Sequence, residues 1–430
     1  MQQSKKIGIV WFTTNLRITD NKALYEACRD CDQVVGVYIF NSKHYKTAFK
    51  NIKKTEIFRS KFIIETVKNL SENLNKINIS LVVSKETPAA VFKALNKEHP
   101  IHTIYRQEEW FFEENQVIKE VTAAVNKPFK SYYSQCLFEP TILDKTDFPK
   151  TFTRFRKIIE KHAPNAPVAT PTMPKDNLID FDNTWPSLQS LGFDHSPKSN
   201  PHSAFPFQGG ETEGKERLEF YLNQKHILTY KATRNGLLGL DYSSKLSAWL
   251  AVGALSPRYI FHKIKAFEKA VKKNQSTYWL VFELYWREFF KHLGYHYKDQ
   301  LFKIEGVNKQ QYEWSNDNQL FTQWTKGCTP EPFVNANMIE LARTGWMSNR
   351  GRQICASYLS KHLGIDWRWG AKYFESLLID YDPDSNYGNW MYLSGVGNDP
   401  RDRVFNVELQ QKRYDPEFKY INTWLAAIPS

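Results

Sequence analysis

Asp241-Tyr242-Ser243-Ser244-Lys245-Leu246-Ser247 sets three serine hydroxyls and an amine just ahead of the apolar run Ala248-Trp249-Leu250. A helix opening there would aim unpaired backbone N–H groups, hydroxyls and an ammonium at one phosphate, although the same serines also serve as ordinary helix caps. Trp346-Met347-Ser348-Asn349-Arg350-Gly351-Arg352-Gln353 spaces Trp346, Asn349 and Arg352 three apart, which predicts neighbours on one helical face with Gln353 alongside. An apolar plane, an amide and a guanidinium suit a heteroaromatic ring; the plainer reading is a helix start with its arginines in water. Asp380-Tyr381-Asp382-Pro383-Asp384 crowds three acids into five residues, and Asn386-Tyr387-Gly388-Asn389-Trp390 comes next. Its turn-forming residues predict a loop without EF-hand spacing, and acids lying near Arg352 would form a buried hydrogen-bonded set. Glu283 and Arg287 are i,i+4 with Trp286 between them. Apolar residues at 280–282, 284–286, 289 and 290 cover most of that helix, so the pair is expected to be shielded or to face a ligand.

These strings must be positioned by surrounding elements. Over residues 1–136, short β-branched runs (Ile7–Phe12, Gln33–Phe40, Ile79–Val83, Ile101–Tyr105, Phe129–Tyr133) alternate with helical stretches at Thr55–Asn75, Pro88–Asn96 and Glu113–Ala124. Near-continuous apolar strands alternating with helices predict a doubly wound parallel-sheet α/β domain. The first strand runs into Thr13-Thr14-Asn15-Leu16-Arg17, with no G-x-G-x-x-G dinucleotide fingerprint. Residues 137–210 are rich in Pro, Asn, Ser and Asp and read as a long interdomain linker. Residues 211–430 show helical spacing at Arg217–Asn223, Lys245–Val252, Pro257–Val271, Thr277–Gly294, Asn335–Gly345, Asn349–His362 and Ala371–Leu378, predicting an all-α domain.

Composition bounds the function. The chain has 430 residues, 41% hydrophobic and 24% charged, which excludes disordered and fibrous classes. Its net charge of +12 and its 13 Trp suit a flat, anionic partner such as a nucleotide or nucleic acid. The positive surplus leans toward the first 130 residues, so a nucleic-acid groove in the helical half must arise from local placement. Five Cys, an odd number, argue against a disulfide framework; the lone Cys28-x-x-Cys31 reads as idle or buried thiols, with no metal site. The apolar run Ile7–Phe12 is too short for a signal h-region and no apolar run reaches about 18–20 residues, so neither a signal peptide nor a membrane span is expected. A cytoplasmic, membrane-free monomer is expected.

Tyr242-Ser243-Ser244-Lys245, the string at 346–353, the string at 386–390 and Gly395-Val396-Gly397-Asn398-Asp399-Pro400-Arg401 occur in that order. With them the chain resembles the photolyase/cryptochrome family over nearly its whole length, the cryptochrome DASH branch most closely. The resemblance implies an N-terminal α/β domain, a linker and a helical domain holding FAD. It implies that Tyr230, Ser243, Ser244, Lys245, Leu246, Ser247 and Arg287 hold the phosphates and ribityl chain. Trp346, Asn349, Arg352, Asp380, Asp382 and Asn386 would surround the rings, with the neutral Asn386 facing flavin N5 and Arg352–Asp380 as a buried pair. Trp390, Trp367 and Trp314 match the electron-transfer triad that photoreduces the flavin.

The implied activity is blue-light-driven repair of cyclobutane pyrimidine dimers flipped out of DNA, chiefly single-stranded DNA. Glu283, Trp286, Asn349, Arg350, Gln353 and Tyr392 would form the lesion pocket. Tyr392 and Gln353 replace the Trp and Met of dimer photolyases, which makes the pocket more polar, and no His in the 346–353 motif supports (6-4) repair. A 5,10-methenyltetrahydrofolate antenna is usual for the branch, with Glu109 and Glu113 as candidate contacts. Two departures stand out: Thr13-Thr14-Asn15 replaces the usual Arg-Asn-Asp, which bears on the antenna pocket, and Asn335 replaces an Asp. A blue-light receptor signalling through a partner is the alternative, disfavoured by the short stretch after Arg401. A light-independent nucleotide-binding protein is the third reading.

Overall fold

The computed structural model describes residues 5–143, 148–398 and 401–426. Asp399 and Pro400 of the fourth family-like string lie outside the described residues, as do residues 1–4 and 427–430. Five parallel strands form the main sheet: β1 (Ile7–Trp11), β2 (Gln33–Ile39), β5 (Ser80–Ser84), β6 (Ile101–Gln107) and β7 (Phe129–Tyr132), in the order β5-β2-β1-β6-β7. A short antiparallel hairpin, β3 (Thr47–Phe49) with β4 (Ile52–Lys53), stands apart. Ile9 of β1 registers with Val35 on one side and Ile104 on the other. The chain winds outward from β1 through β2 to β5, then returns to β6, which puts the topological switch between β1 and β6.

The strand alternation divides the core. Ile7, Ile9 and Trp11 join Val35, Val37, Ile101 and Ile104 beneath the helices Pro88–Glu98 and Phe112–Val125. Val10 and Phe12 face the other way, into one apolar cluster that runs from the sheet through the helix Ile57–Asn75 to Trp390 and Trp424. The α/β and helical halves therefore share a core. Between them the Pro-rich connector wraps the β5 edge. Asn177 donates to the carbonyls of Val34 (3.0 Å) and Asn78 (2.6 Å), and Asn183 Oδ1 accepts from the Val83 amide at 2.8 Å.

A buried clasp locks the halves together. Arg17 donates to the carbonyl of Gly253 in the helical half (2.7 Å) and to those of Ser134 (2.6 Å) and Asp20 (2.9 Å). Burial pulls its guanidinium down to about 10. Arg258 donates to both Asp20 oxygens, and Glu211 accepts from the Ile18 and Thr19 amides.

The structure corrects several sequence expectations. The acid-rich string is not a loop: Asp382 accepts from the Ser385 amide as N-cap, Pro383 sits at a first-turn position, and a helix runs Pro383–Ser394. An Asp-Pro pair opens either a turn or a helix, and here the residues after Pro383 bury one face and continue the helix. Trp346 precedes its helix, which starts at Asn349 behind the Ser348 cap, so Trp346 and Arg352 do not share a helical face. The helix after Lys245 is only Ser247–Ala251, because Lys245 sits in the left-handed region at φ 63°. The connector contains a helix, Phe152–Ile159, that its polar surroundings concealed. No helix among the described residues is long and apolar enough to cross a membrane.

Gly253 adopts φ +69°, and a Cβ there would lie 1.9 Å from the Thr14 carbonyl oxygen across the junction of the halves. Gly253→Ala should cost about 2 kcal/mol or more, from left-handed strain plus forced separation of the clasp. Urea unfolding measures it; a change within about 0.5 kcal/mol, the range of an ordinary surface substitution, would contradict this packing.

Candidate cofactor and substrate site

One long helix, Gln275–Tyr297, organises the site. The capping box of Asn274 with Thr277 starts it, and Glu283, Arg287 and Lys291 succeed one another at four-residue spacing along one face. The expected Glu283–Arg287 pair is not what forms. Glu283 Oε1 instead takes Arg234 Nη1 at 2.6 Å, from a segment 49 residues earlier. Burial raises the Glu283 carboxyl, with Arg234 opposing that rise. Arg287 reaches the carbonyls of Gln135 (2.6 Å) and Leu250 (3.4 Å), tying the helix to the linker entrance and to the Ser247–Ala251 turn. Lys291 is buried between Asp382 (2.5 Å) and Asp384 (2.7 Å). Trp110 Nε1 reaches over from the α/β half to donate to Asp384 at 2.9 Å. Burial works against the Asp382 charge, but Lys291 and Arg287 outweigh it and hold its carboxyl below the ordinary range. Asp384, sharing the same ammonium, is pushed up to about 6 by burial.

Arg352 Nη2 contacts both Asp380 oxygens at 2.9 Å, as the sequence suggested, and its Nε donates to Met347 O. The three acids do not gather around Arg352, since Asp382 and Asp384 belong to Lys291. Asn386 donates its amide N–H to Ala371 O at 3.0 Å, which fixes the orientation of its carbonyl oxygen. Buried Trp346 stacks on Phe205 of the connector, centroids 4.7 Å apart.

The loop Leu240–Ser247 is shaped by Arg217, which no sequence motif singled out. Its guanidinium gathers the carbonyls of Leu240, Ser243 and Ser244 and the Asp241 carboxylate (2.7 Å). Tyr230, Ser244, Lys245 and Leu246 are buried, Ser243 is half-buried, and Ser247 is exposed. Two buried polar atoms near this loop, Lys245 Nζ and Glu340 Oε1, have no hydrogen-bond partner among the described residues. Unmade bonds at buried donors and acceptors are costly, so this grouping fits a large polar ligand that completes them.

Trp286 and Tyr392 meet edge to face, centroids 5.9 Å apart at 84°, forming an aromatic corner. One face of Trp286 is covered by Phe152 of the connector helix, 3.7 Å away and nearly parallel at 11°. Sequence pattern gave Phe152 no role, because its partner is 134 residues distant. Asn349 is exposed at the helix start, and Arg350 stacks its guanidinium 4.7 Å from the Tyr414 ring centroid.

Backbone links connect the three candidate electron-transfer tryptophans. Trp390 lies against the helix Trp367–Leu377, where a Cβ on Gly370 would meet its ring at 2.1 Å. Trp367 starts that helix, fully buried, with Nε1 donating to Ile304 O. Ser315, next to half-buried Trp314, bridges Ile365 and donates to Gly364 O at 2.7 Å. Trp390 also meets Trp324 edge-on at 6.2 Å.

The two antenna candidates separate. Glu109 lies just past β6 at the switch point, where Thr13 (3.0 Å) and Thr14 (3.1 Å), just after β1, both donate to its Oε1. Burial pushes its carboxyl up to about 8. Glu113 lies exposed and pairs with Lys54. Among the described residues no His, Cys, Asp and Glu grouping could hold a metal ion.

Lys291→Met leaves two buried carboxylates without their shared cation. It should lower stability by about 3–5 kcal/mol in denaturant unfolding. A loss below about 1 kcal/mol would mean the acids are solvated like a surface pair.

Comparison with known proteins places this geometry. Residues 279–430 match the FAD binding domain of DNA photolyase, and residues 8–175 match the DNA photolyase domain. A cryptochrome DASH from Natronomonas pharaonis is 42% identical over 98% of this chain and 91% of its own length. One from Gloeobacter violaceus is 42% identical over 99% and 86%. The crystal structure of a Synechocystis sp. PCC6803 cryptochrome superimposes with a TM-score of 0.91 at 39% identity, over 99% of this chain and 90% of that one. A class III photolyase from Agrobacterium tumefaciens gives 0.81 at 28%, over 99% and 87%. With its helical half matching the FAD-binding model and its full length matching these relatives, the chain belongs to the photolyase/cryptochrome family, in its cryptochrome DASH branch, and takes FAD as cofactor.

Proposed function

We propose that this protein is a blue-light-driven deoxyribodipyrimidine photolyase that repairs cyclobutane pyrimidine dimers, preferentially in single-stranded DNA. The observation that supports it best is the juxtaposition of a shielded acid, Glu283 with Arg234, and an aromatic corner, Trp286 with Tyr392, on and beside one helix. When bound and reduced, FAD supplies the photoexcited electron that splits the dimer and takes it back.

The remaining work falls to the chain's side chains. Trp286, braced from behind by Phe152, offers a flat platform for an unstacked pyrimidine, and Tyr392 walls one edge. Glu283, held by Arg234, can accept a short hydrogen bond from a pyrimidine N–H. Gln353 adds an amide, and Arg350 and Asn349 line the approach to phosphates. Tyr392 gives less stacking surface than an indole. The few kcal/mol needed to unstack a duplex base are then poorly repaid, which favours lesions already single-stranded. Arg352–Asp380 and the neutral Asn386 would set charge beside the isoalloxazine; Tyr230, the 243–247 loop and Arg287 would serve the phosphates and ribityl chain, and Asp382 the remaining polar edge. Trp390, Trp367 and Trp314 would carry an electron inward from the surface. Neutral Glu109, held by Thr13 and Thr14 at the switch point, is the better folate-antenna contact of the two candidates.

A receptor that signals without repairing would use the same tryptophans, so the test must separate them. Holoprotein, chemically reduced and illuminated with blue light, should restore pyrimidines in a dimer-bearing single-stranded oligonucleotide faster than in its duplex. No restoration on either substrate would reject repair and favour signalling. Trp367→Phe should abolish photoreduction of oxidised flavin while leaving repair by chemically reduced protein at the wild-type level. Normal photoreduction in that variant would reject the assigned chain.

A further inference from the structure

Gly395-Val396-Gly397 carries none of the roles assigned so far, yet the segment of the outermost candidate tryptophan is anchored there. The Asn308 amide donates to Val396 O at 3.1 Å, and the Asn308 side-chain nitrogen donates to Gly397 O. Gly395 ends the helix Pro383–Ser394 at φ +86° and leaves room for three side chains that meet over it. A Cβ at Gly395 would lie 2.6 Å from Tyr312 Oη, 2.6 Å from Asp402 Oδ1 and 2.9 Å from Lys361 Nζ. These groups also bind one another. Tyr312 Oη donates to Asp402 Oδ2 at 3.3 Å. Lys361 Nζ pairs with the other Asp402 oxygen and lies 4.6 Å from the centroid of the Tyr312 ring.

The Tyr312 ring touches Trp314, with centroids 5.4 Å apart and planes tilted at 55°. An oxidisable phenol therefore stands in contact with the outer end of the tryptophan series. Its proton points at a carboxylate, whereas the indole proton of Trp367 points at the Ile304 carbonyl. A surface groove of about 610 Å³, lined by Trp314, Tyr312, Lys303, Glu305 and Lys309, opens beside both rings. Removing an electron from a phenol makes it a strong acid, so such a residue is oxidised readily only where a base takes the proton. Asp402 is placed as that base. The Lys361 ammonium over the ring opposes positive charge there, which couples electron loss to proton loss. Burial and the neighbouring Asp402 both raise the Tyr312 phenol, so it rests protonated.

We propose that Tyr312 is a fourth member of the electron-transfer series, giving an electron to oxidised Trp314 while its phenolic proton passes to Asp402. This rests on the reading of Trp390, Trp367 and Trp314 as the path along which photoexcited FAD draws an electron. The step balances within the chain. The Trp314 radical cation gains one electron and becomes neutral tryptophan, Tyr312 becomes a neutral phenoxyl radical, and the Asp402 carboxylate becomes the acid. Asp402, with its side chain 51% exposed, then sheds the proton to water. A soluble thiol reaching the groove gives Tyr312 a hydrogen atom and leaves as a thiyl radical. Because the phenoxyl radical is neutral, it exerts no charge attraction on the departed electron, and the separated state outlives one that ends on a tryptophan cation.

Flash photolysis of holoprotein carrying oxidised FAD, read by transient absorption and electron paramagnetic resonance, tests the step. In the wild type a tryptophan radical should give way to a phenoxyl radical, more slowly in heavy water than in ordinary water. Tyr312→Phe keeps the ring and removes the proton. Its phenoxyl signal should vanish, a tryptophan radical should be the last species seen, and the separated state should decay faster. Asp402→Asn should slow phenoxyl formation by about a hundredfold, the usual worth of a positioned base. A wild type whose last radical is on tryptophan would overturn the role of Tyr312 and leave the tryptophan series standing. An unchanged phenoxyl signal in Tyr312→Phe would overturn it equally, since another tyrosine would then be the donor. Neither kind of radical in the wild type would overturn the tryptophan series, and this proposal with it.

Discussion

The buried ammonium of Lys291 is the interaction on which the site's geometry turns. It joins the helix Gln275–Tyr297 to the start of Pro383–Ser394 through Asp382 and Asp384, and Trp110 Nε1 brings the α/β half to the same point. Gly294 is required by this convergence, since a Cβ there would lie 1.8 Å from Asp384 Oδ1. Desolvating one cation and two acids is expensive, and apolar residues could pack as stably. What the arrangement provides is register. Asp382 caps the helix that carries Asn386 and Trp390, and Lys291 lies two turns beyond Glu283. Fixing that one contact fixes Asn386, Trp390 and Glu283 relative to one another.

Charge is handled by local cancellation throughout this half. Arg352 is matched by Asp380, Glu283 by Arg234, and Lys291 by two acids of which one is pushed toward neutrality. In a poorly solvated pocket an unmatched charge would dominate the energetics of a ligand with its own diphosphate. Lys245, in a left-handed backbone position, has no acid partner among the described residues, and its ammonium lies 3.3 Å from the Tyr242 ring centroid. The overall +12 favours general attraction to a polyanion and by itself carries no sequence or lesion selectivity.

Legibility in the sequence tracked physical range. The sheet was readable because strands covered on both faces are near-continuously apolar, and β1, β2, β5, β6 and β7 lie within a residue or two of the runs that announced them. The Arg352–Asp380 pair came from the family resemblance; the residues alone placed three acids near Arg352 without choosing among them. Contacts across long sequence separations were not readable. Periodicity on the long helix exposed Glu283 and Arg287 as neighbours, yet each found a better partner elsewhere, Arg234 for one and backbone carbonyls for the other. Lys291 continued the same four-residue spacing and could have been added from that stripe alone. Phe152, Arg217 and Glu340 carried no local signal, since an isolated aromatic, an arginine and a glutamate on ordinary helices are the commonest of features.

The tryptophan arrangement shows why small residues matter as much as the aromatic ones. Trp390 can approach the helix Trp367–Leu377 only because position 370 is glycine, and Gly388 similarly lets Phe290 of the long helix come within van der Waals range of the Trp390 helix. The same helix presents Trp367 three residues before that contact, and the Ser315–Ile365 bridge holds the Trp314 segment against the residues preceding it. Three side chains from separate segments are thereby fixed by backbone contacts, not by their own rotamers alone. In the proposed function one helix then serves three tasks through different residues: Trp390 for electron supply, Asn386 beside the flavin and Tyr392 at the lesion.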